Sequence, residues 1–328
     1  MSSPSAVSPL ARRVFLANLC AQIGIVITGG LVRLTGSGLG CDTWPRCNDD
    51  QWTPHGESDI YTFIEFGNRM LAYVVGAIAV AAIVVAWRHR PVRKEIRYLA
   101  VFQLFAVVGQ AIVGGITVLT DLHPAAVASH LLVSMFMIGS AVALYERSGE
   151  GDGPVRPLVR REIRRFGAGA VGVLSALLVV GTIVTGSGPH AGDEEARRFD
   201  VDVDQMAWLH ADLAFLLLGA AIALALALRV TDAPAAAQHR VWWLLGVMVP
   251  QGLIGYTQYF NGLPEWQVSL HMFGACLVVV TTTRILFGLR ERGEQSEAAD
   301  GADGADRKAE NAAGVPAQAD EPVTATRY

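Results

Sequence analysis

Eight apolar runs of about 20 residues each dominate this sequence and limit what it can fold into. A helix of that length crosses the roughly 30 Å hydrocarbon layer of a bilayer. The chain has 328 residues, of which 52% are hydrophobic and 17% are charged. These runs predict an all-α integral membrane protein with eight transmembrane helices. They are 14–34, 62–87, 97–119, 125–145, 166–185, 206–228, 241–260 and 267–289.

The distribution of basic residues predicts the orientation of these helices. One set of segments carries Arg12 and Arg13, five Lys or Arg residues in 88–97 and six in 147–165. The opposite loops carry Arg46, Arg197 and Arg198. The positive-inside rule therefore predicts a multi-pass protein of the cell (plasma) membrane with both termini in the cytoplasm. Arg12 and Arg13 also resemble the start of a signal peptide, but the seven later runs favour a retained first helix.

Two motifs occur twice in the chain. The spacing Gln-x3-Gly-x15-His begins at Gln110 and begins again, 141 residues later, at Gln251. The tetrapeptide TGSG occurs at 35–38 and, 150 residues later, at 185–188. Because each copy would contain four helices, an even number, both copies enter the membrane from the same side. The repeats therefore predict two pseudo-symmetric four-helix bundles.

The halves are predicted to be residues 1–150 and 151–290, joined through a segment that contains glycine and proline. The remaining residues, 291–328, hold nine acids and four bases and are rich in Ala, Asp, Glu and Gly. Such a composition is typical of disorder, so this segment is predicted to be a disordered cytoplasmic tail.

Three of the eight histidines lie inside apolar runs: His130, His210 and His271. Each is four or five residues past the predicted outer end of its helix, or roughly 6–8 Å deep. A single intramembrane histidine often does no more than hydrogen-bond to another helix, but packing does not require three at one depth. His210 and His271 belong to two helices of the C-terminal half and could ligate a haem iron from both sides.

The repeat predicts the corresponding pair in the N-terminal half. His130 corresponds to His271, whereas the residue 142 positions before His210 is Asn68. The N-terminal site is therefore predicted to contain one imidazole and one amide. Glu65 lies three residues before Asn68 on the same helix face, beside the open side of the predicted site.

Three charged residues near the outer boundary have more than one interpretation. Glu65 at membrane depth costs about 3 kcal/mol on insertion scales and is a functional candidate. Glu65 and Arg69 could also form an ion pair, being four residues apart. Arg69 could contact a haem propionate, and Arg33 could do so too or extend to the lipid headgroups.

Cys41 and Cys47 lie in the first outer loop, on the oxidising side of the membrane. A disulfide is the favoured interpretation. A C-x5-C metal site, with His55 as a further ligand, is the alternative. Trp44, between the two cysteines, is interpreted as a membrane-interface anchor.

The sequence resembles the haem A synthases over about 12–290. The resemblance is carried by TGSGLGC-x5-C after the first helix, IEFGNR in the second, both Gln-to-His repeats and LHADL in the sixth. It implies a membrane oxidoreductase that oxidises the C8 methyl group of haem O to a formyl group, giving haem A for cytochrome c oxidase.

The same resemblance implies roles for particular residues. His210 and His271 would ligate a haem b, and the N-terminal half would bind haem O with Glu65 as the catalytic residue. The family pattern has a histidine where this chain has Asn68, which puts two-histidine ligation of the N-terminal haem in doubt. The implied partners are haem O synthase, cytochrome oxidase assembly factors and the lipid membrane, with homo-oligomerisation left open and no nucleic acid.

Two other functions fit part of these observations. A cytochrome b-type electron-transfer protein with two axial histidines would share the ligands but gives no reason for Glu65 beside an asymmetric site. A transporter would also have parallel repeats. It would bind no haem tightly, and broken helices in matching positions are missing from the sequence pattern.

Overall fold

A computed structural model describes residues 7–54 and 59–293, and that part of the chain contains eight long α-helices. Residues 294–328, with most of the predicted disordered tail, lie outside it, as does His55. The helices are α1 (Pro9–Leu34), α2 (Ile60–Arg88), α3 (Lys94–Leu119), α4 (Pro124–Gly149), α5 (Arg161–Ser187), α6 (Val203–Val230), α7 (Ala235–Phe260) and α8 (Glu265–Gly288).

Seven of these helices are long and apolar enough to cross a membrane, which makes the chain a multi-pass all-α membrane protein. Helix α7 has the same length as α1, 26 residues, but it contains no 18-residue stretch as apolar as those of the other seven helices. It contains Trp242, Trp243, Pro250 and Gln251. Because α7 packs between α6 and α8, we interpret it as the eighth spanning helix.

The helices pack as two rings of four. In the N-terminal half each helix contacts the next, and α1 closes the ring against α4. The C-terminal half repeats this arrangement, with α5 closing against α8. The halves meet where α4 packs against α5 and α8, and where α1 packs against α8.

A short sheet links the ends of the two halves. Strand β1 (Val155–Pro157) follows α4 and pairs antiparallel with strand β2 (Arg290–Arg292), which follows α8. The prediction of disorder from residue 291 onward is therefore wrong for Glu291 and Arg292, because backbone pairing with β1 orders them.

The turns that precede α4 and α8 have the same construction. Leu122 and Leu263 each follow another residue in the left-handed region and have φ angles of 54° and 60°. Each donates its backbone N–H to the carbonyl five residues earlier at 2.8 Å. The 141-residue repeat is thus present in the backbone as well as in the sequence.

The helices that carry the three intramembrane histidines begin earlier than the apolar runs predict. His130, His210 and His271 lie six or seven residues after the first residue of α4, α6 and α8. At 1.5 Å per residue this is roughly 9–10 Å along the helix. The three helices follow the N-cap residues His123, Asp202 and Pro264, so each histidine lies one to three residues further along its helix than the apolar run predicts.

Candidate functional site

The C-terminal half holds two facing imidazoles. His210 on α6 and His271 on α8 have ring centroids 6.2 Å apart, with an angle of 60° between the ring planes. Helices α6 and α8 are diagonal in the ring of four, so the two side chains meet inside the bundle. An imidazole nitrogen lies about 2 Å from a bound metal, so two axial imidazoles on one metal have ring centres about 6 Å apart. The observed separation fits that arrangement.

Asn68 and each of the three intramembrane histidines pack against a glycine of the helix before their own. A Cβ atom added to Gly181 would lie 2.8 Å from Cε1 of His210, so no other residue fits there without displacing the ring. The other distances from the added Cβ are 3.2 Å from Gly114 to Cε1 of His130, 3.2 Å from Gly255 to Cε1 of His271 and 3.6 Å from Gly29 to Nδ2 of Asn68. All four positions therefore share one local construction. The glycine has no side chain, which leaves a notch in its helix, and the imidazole or amide of the next helix packs in this notch.

The repeated glutamines hold the repeated histidines at the backbone. Gln110 donates its side-chain N–H to the carbonyl of His130 at 2.8 Å, and Gln251 donates to the carbonyl of His271 at 2.9 Å. Gln110 also contacts the hydroxyl of Ser134 at 2.5 Å. The spacing found in the sequence is thus a cross-helix hydrogen bond that fixes α3 on α4 and α7 on α8.

Asn68 takes the place of a second histidine in the N-terminal half. The hydroxyl of Thr28 on α1 donates to Oδ1 of Asn68 at 2.7 Å. The amide nitrogen of Asn68 lies against Gly29 and donates to no oxygen of the described residues.

Glu65 is buried, with 6% of its surface exposed, and lies beneath the first outer loop. Its Oε2 accepts a hydrogen bond from the backbone N–H of Cys41, and its Oε1 pairs with Arg69 at 2.6 Å. The Glu65–Arg69 ion pair considered from the sequence is therefore present. Asp59 caps α2 ahead of it, and its hydrogen bonds from the backbone and hydroxyl of Thr62 lower the pKa of the Asp59 carboxyl.

Arg69 is fully engaged by the protein, which argues against the predicted propionate contact. All five N–H groups of its guanidinium have oxygen partners. Nε and Nη2 donate to Glu65, and the remaining bonds, each 3.0 Å long, go to the carbonyls of Cys41, Thr43 and Arg46. Its observed role is to hold the outer loop on α2.

Cys41 and Cys47 form a disulfide, as the sequence predicts. The alternative of a metal site at these cysteines is wrong because both sulfur atoms are used in this bond. Across residues 7–54 and 59–293, no group of three or more His, Cys, Asp and Glu side chains could hold a bare metal ion.

Trp44 has a role that the sequence did not reveal. A Cβ atom on Gly115 would lie 2.5 Å from the indole of Trp44, so the ring packs directly on α3. The adjacent Gly114 seats His130. The disulfide loop thus covers the helix that positions His130, and Trp44 is a packing residue there rather than only an interface anchor. The consecutive glycines were the one signal for such a close approach.

Arg33 lies between the two halves. Its Nη2 donates to the carbonyl of Thr185 at 2.5 Å, which connects the first TGSG region to the second. Gly38 donates its N–H to the carbonyl of Gly192 at 2.8 Å in the same region. Nε of Arg33 is buried and has no hydrogen-bond partner among the described residues.

The three intramembrane histidines fit a group that supplies a metal. Nδ1 of His130, of His210 and of His271 is buried without a hydrogen-bond partner in the described part of the protein. Unpartnered buried imidazoles are costly, and their presence at equivalent positions indicates that they serve a bound group. The separation of His210 and His271 fits one metal held between two imidazoles, and imidazole nitrogen is a donor that haem iron accepts.

These observations define a class: a duplicated, all-helical, multi-pass membrane protein with imidazoles inside each four-helix half. Residues 12–283 match the family model COX15-CtaA, described as cytochrome oxidase assembly protein, and the chain belongs to this family.

Several curated relatives are named Heme A synthase. The protein from Shouchella clausii (strain KSM-K16) is 30% identical over 148 residues, which cover 43% of this chain and 48% of the relative. The proteins from Bacillus mycoides (strain KBAB4) and Bacillus cereus (strain AH187) are each 30% identical over 121 residues, covering 37% of this chain and 38% of the relative. The chain thus matches less than half the length of these relatives.

Proposed function

We propose that this protein is a haem A synthase that oxidises the C8 methyl group of haem O to a formyl group and so provides haem A for cytochrome c oxidase. The observation that carries the proposal is the facing pair His210 and His271, 6.2 Å apart, in a chain of this family. The relatives named Heme A synthase support the same activity.

The C-terminal half is the proposed haem b site. His210 and His271 would hold its iron, and Gly181, Gly255 and Gln251 would position these two side chains. An iron with two protein ligands has no open coordination position and suits electron transfer. Haem iron supplies one-electron redox chemistry when it is bound, and the protein tunes it through these ligands.

The N-terminal half is the proposed haem O site. His130 would be its single imidazole ligand, because Asn68 occupies the position that corresponds to His210. Thr28 fixes the Asn68 amide, and Gly29 limits the space around it. One protein ligand leaves a coordination position open, which oxidation of a substrate needs. Arg33, with its buried Nε, is the proposed contact for a propionate.

Glu65 is the proposed catalytic residue. The Cys41 N–H and Arg69 hold its carboxylate in one position, so it does not need to reorganise during the reaction. A carboxylate held in this way can accept a proton or stabilise positive charge that develops on the oxidised carbon. The disulfide loop, Trp44 and Arg69 position it and cover the N-terminal half.

The proposed location is the plasma membrane with both termini in the cytoplasm, and the proposed partners are haem O synthase and cytochrome oxidase assembly factors. With the outer loop on the oxidising side, the observed disulfide supports this orientation.

The proposal is tested by extracting the non-covalent haem from purified protein and separating it by chromatography. We expect haem b together with haem O, its hydroxylated product or haem A. Replacing both His210 and His271 by Ala should remove haem b, measured as loss of its Soret absorbance. Haem b alone would favour the electron-transfer cytochrome, and colourless protein would overturn both functions.

The role of Glu65 is tested with Glu65→Gln, which keeps a side chain of the same size but removes the charge. We expect haem b to remain and formation of the hydroxylated and formyl products to fall by about 100-fold or more, the usual contribution of general acid–base catalysis. The control is Glu95→Gln, a change of the same kind at the opposite end of the N-terminal half. Unchanged product formation in Glu65→Gln would remove Glu65 from the mechanism.

A further inference from the structure

A cavity of about 400 Å³ lies at the end of the molecule opposite the histidines. Its walls come from both halves: the beginnings of α1 and α7, the ends of α4 and α8, and strand β2. Its volume lies within the range of small-molecule sites, about 300–1,000 Å³. The charged side chains that line it are Arg12, Arg240, Arg290, Arg292, Glu146, Glu150 and Glu291.

Two of the three lining glutamates are already paired with more than one guanidinium group. Glu146 accepts from Arg240 and from Arg284, each at 2.7 Å. Glu150 lies 3.4 Å from Arg290 and 3.7 Å from Arg147. Arg147 and Arg284 pair with these carboxylates but do not line the cavity, so they offset the negative charge of Glu146 and Glu150 from outside it. The side chains that line the cavity therefore carry a net positive charge.

Two of the lining guanidinium groups, one from α1 and one from β2, have N–H groups without an acceptor among the described residues. Arg12 makes no ion pair with any described residue and stacks on the ring of Tyr145, 5.0 Å from its centroid. Arg292 pairs through Nη2 with Glu95 at 3.2 Å, while its buried Nε has no partner among the described residues. Guanidinium groups bind anionic acceptors through charge-assisted hydrogen bonds, so an anion in a cavity lined by Arg12 and Arg292 would be bound favourably.

We propose that this cavity binds the phosphate headgroup of an anionic phospholipid from the leaflet that the basic loops assign to the cytoplasmic side. Phosphate oxygens accept the forked N–H groups of arginine, and this leaflet carries the negatively charged lipids. A headgroup bound there contacts α1 and α4 of one half and α7, α8 and β2 of the other. It therefore holds the two halves together at the end that lacks the histidines. This inference does not depend on the proposed enzymatic activity.

The test measures thermal unfolding of the full-length protein in two kinds of nanodisc. One contains only phosphatidylcholine, and the other contains phosphatidylglycerol as well. We expect phosphatidylglycerol to raise Tm by about 2 °C or more, because a ligand that binds only the folded state stabilises it. Native mass spectrometry should detect phosphatidylglycerol that stays bound to the protein.

The variant Arg12→Gln should lose most of this rise and the retained lipid. Arg13→Gln is the matched control, because Arg13 is the exposed neighbour of Arg12 and does not line the cavity. Arg12 lies in the exposed first turn of α1, so its replacement does not threaten folding. Arg292→Gln should reproduce the loss from the other wall.

Three results would overturn the proposal. The first is an equal Tm in the two nanodiscs, and the second is an equal loss in Arg12→Gln and Arg13→Gln. The third is a full rise in phosphatidylcholine nanodiscs on adding inorganic phosphate, which would assign the cavity to a free anion instead of a lipid.

Discussion

Asn68 is the residue that distinguishes the two halves. The positions against Gly29, Gly114, Gly181 and Gly255 are built alike, yet three of them hold imidazoles and one holds an amide. The Thr28 hydroxyl donates a hydrogen bond to the amide oxygen of Asn68 at 2.7 Å, so this oxygen has a partner within the bundle. At these four positions the halves therefore differ in the chemistry of one side chain, while the packing against a glycine is shared.

Replacing Asn68 by His should convert the N-terminal site into a two-imidazole site. We expect the haem in that half to become six-coordinate and low-spin, measured by electron paramagnetic resonance and visible absorption, while product formation falls. Asn68→Ala, which removes the amide without adding a ligand, is the control and should leave the spin state unchanged. An identical spectrum for Asn68→His and the unmodified protein would show that Asn68 does not face the iron.

The sequence predicted two contacts of the candidate site and missed others. The Cys41–Cys47 disulfide and the Glu65–Arg69 ion pair follow from local spacing, and both are present. Spacing cannot reveal that Arg69 also binds three loop carbonyls or that Trp44 lies on Gly115. Such contacts depend on how a loop folds back over distant helices, which no helical period encodes.

At the scale of helices, the glycines of the odd-numbered helices set the positions of Asn68 and of the three intramembrane histidines. A glycine within a helix costs about 1 kcal/mol relative to alanine, so four at matching sites need a packing reason. The apolar runs predicted the helices but not their first turns, so the histidines lie one to three residues further along α4, α6 and α8 than the runs predict. They also gave no indication of the β1–β2 pairing, because three-residue strands made mostly of arginine and proline have no apolar period.

Gly181→Ala tests the notch on α5. The new Cβ would lie 2.8 Å from Cε1 of His210, and an imidazole cannot compress, so the ring must turn. We expect haem b to be lost or its Soret band and redox potential to shift. Gly172→Ala on the same helix is the control, since a Cβ there meets nothing within 4 Å. If both variants bind haem b with the same spectrum, the notch does not position His210.

At the scale of the whole molecule, the two proposed haem sites meet through the contact between α1 and α8. Met272 follows His271 on α8 and packs on Gly30 of α1. Gly29, the residue before Gly30, contacts Asn68. The contact between Gly30 and Met272 therefore joins the two halves at the level of Asn68 and His271. Glu146 on α4 joins the halves at the other end through Arg240 and Arg284. The two halves are thus in contact at both ends of the molecule.

Gly30→Ala tests this contact, because a Cβ on Gly30 would lie 2.5 Å from Cε and 2.7 Å from Sδ of Met272. The flexible thioether must move, and overpacking of about 1 kcal/mol then cancels the gain of about 1 kcal/mol in helix propensity. In a Met272→Ala background the same change should instead raise Tm, since the obstructing atoms are gone. The stability change caused by Gly30→Ala should differ between the two backgrounds by about 0.5–3 kcal/mol, the usual coupling energy of residues in contact, and this difference measures the contact between the halves.

Gly24→Ala on α1 is the control, because its added Cβ meets nothing within 4 Å and should have the same effect in both backgrounds. If Gly30→Ala also has equal effects, and the haem b spectrum is unmoved, the two sites act independently despite their shared interface.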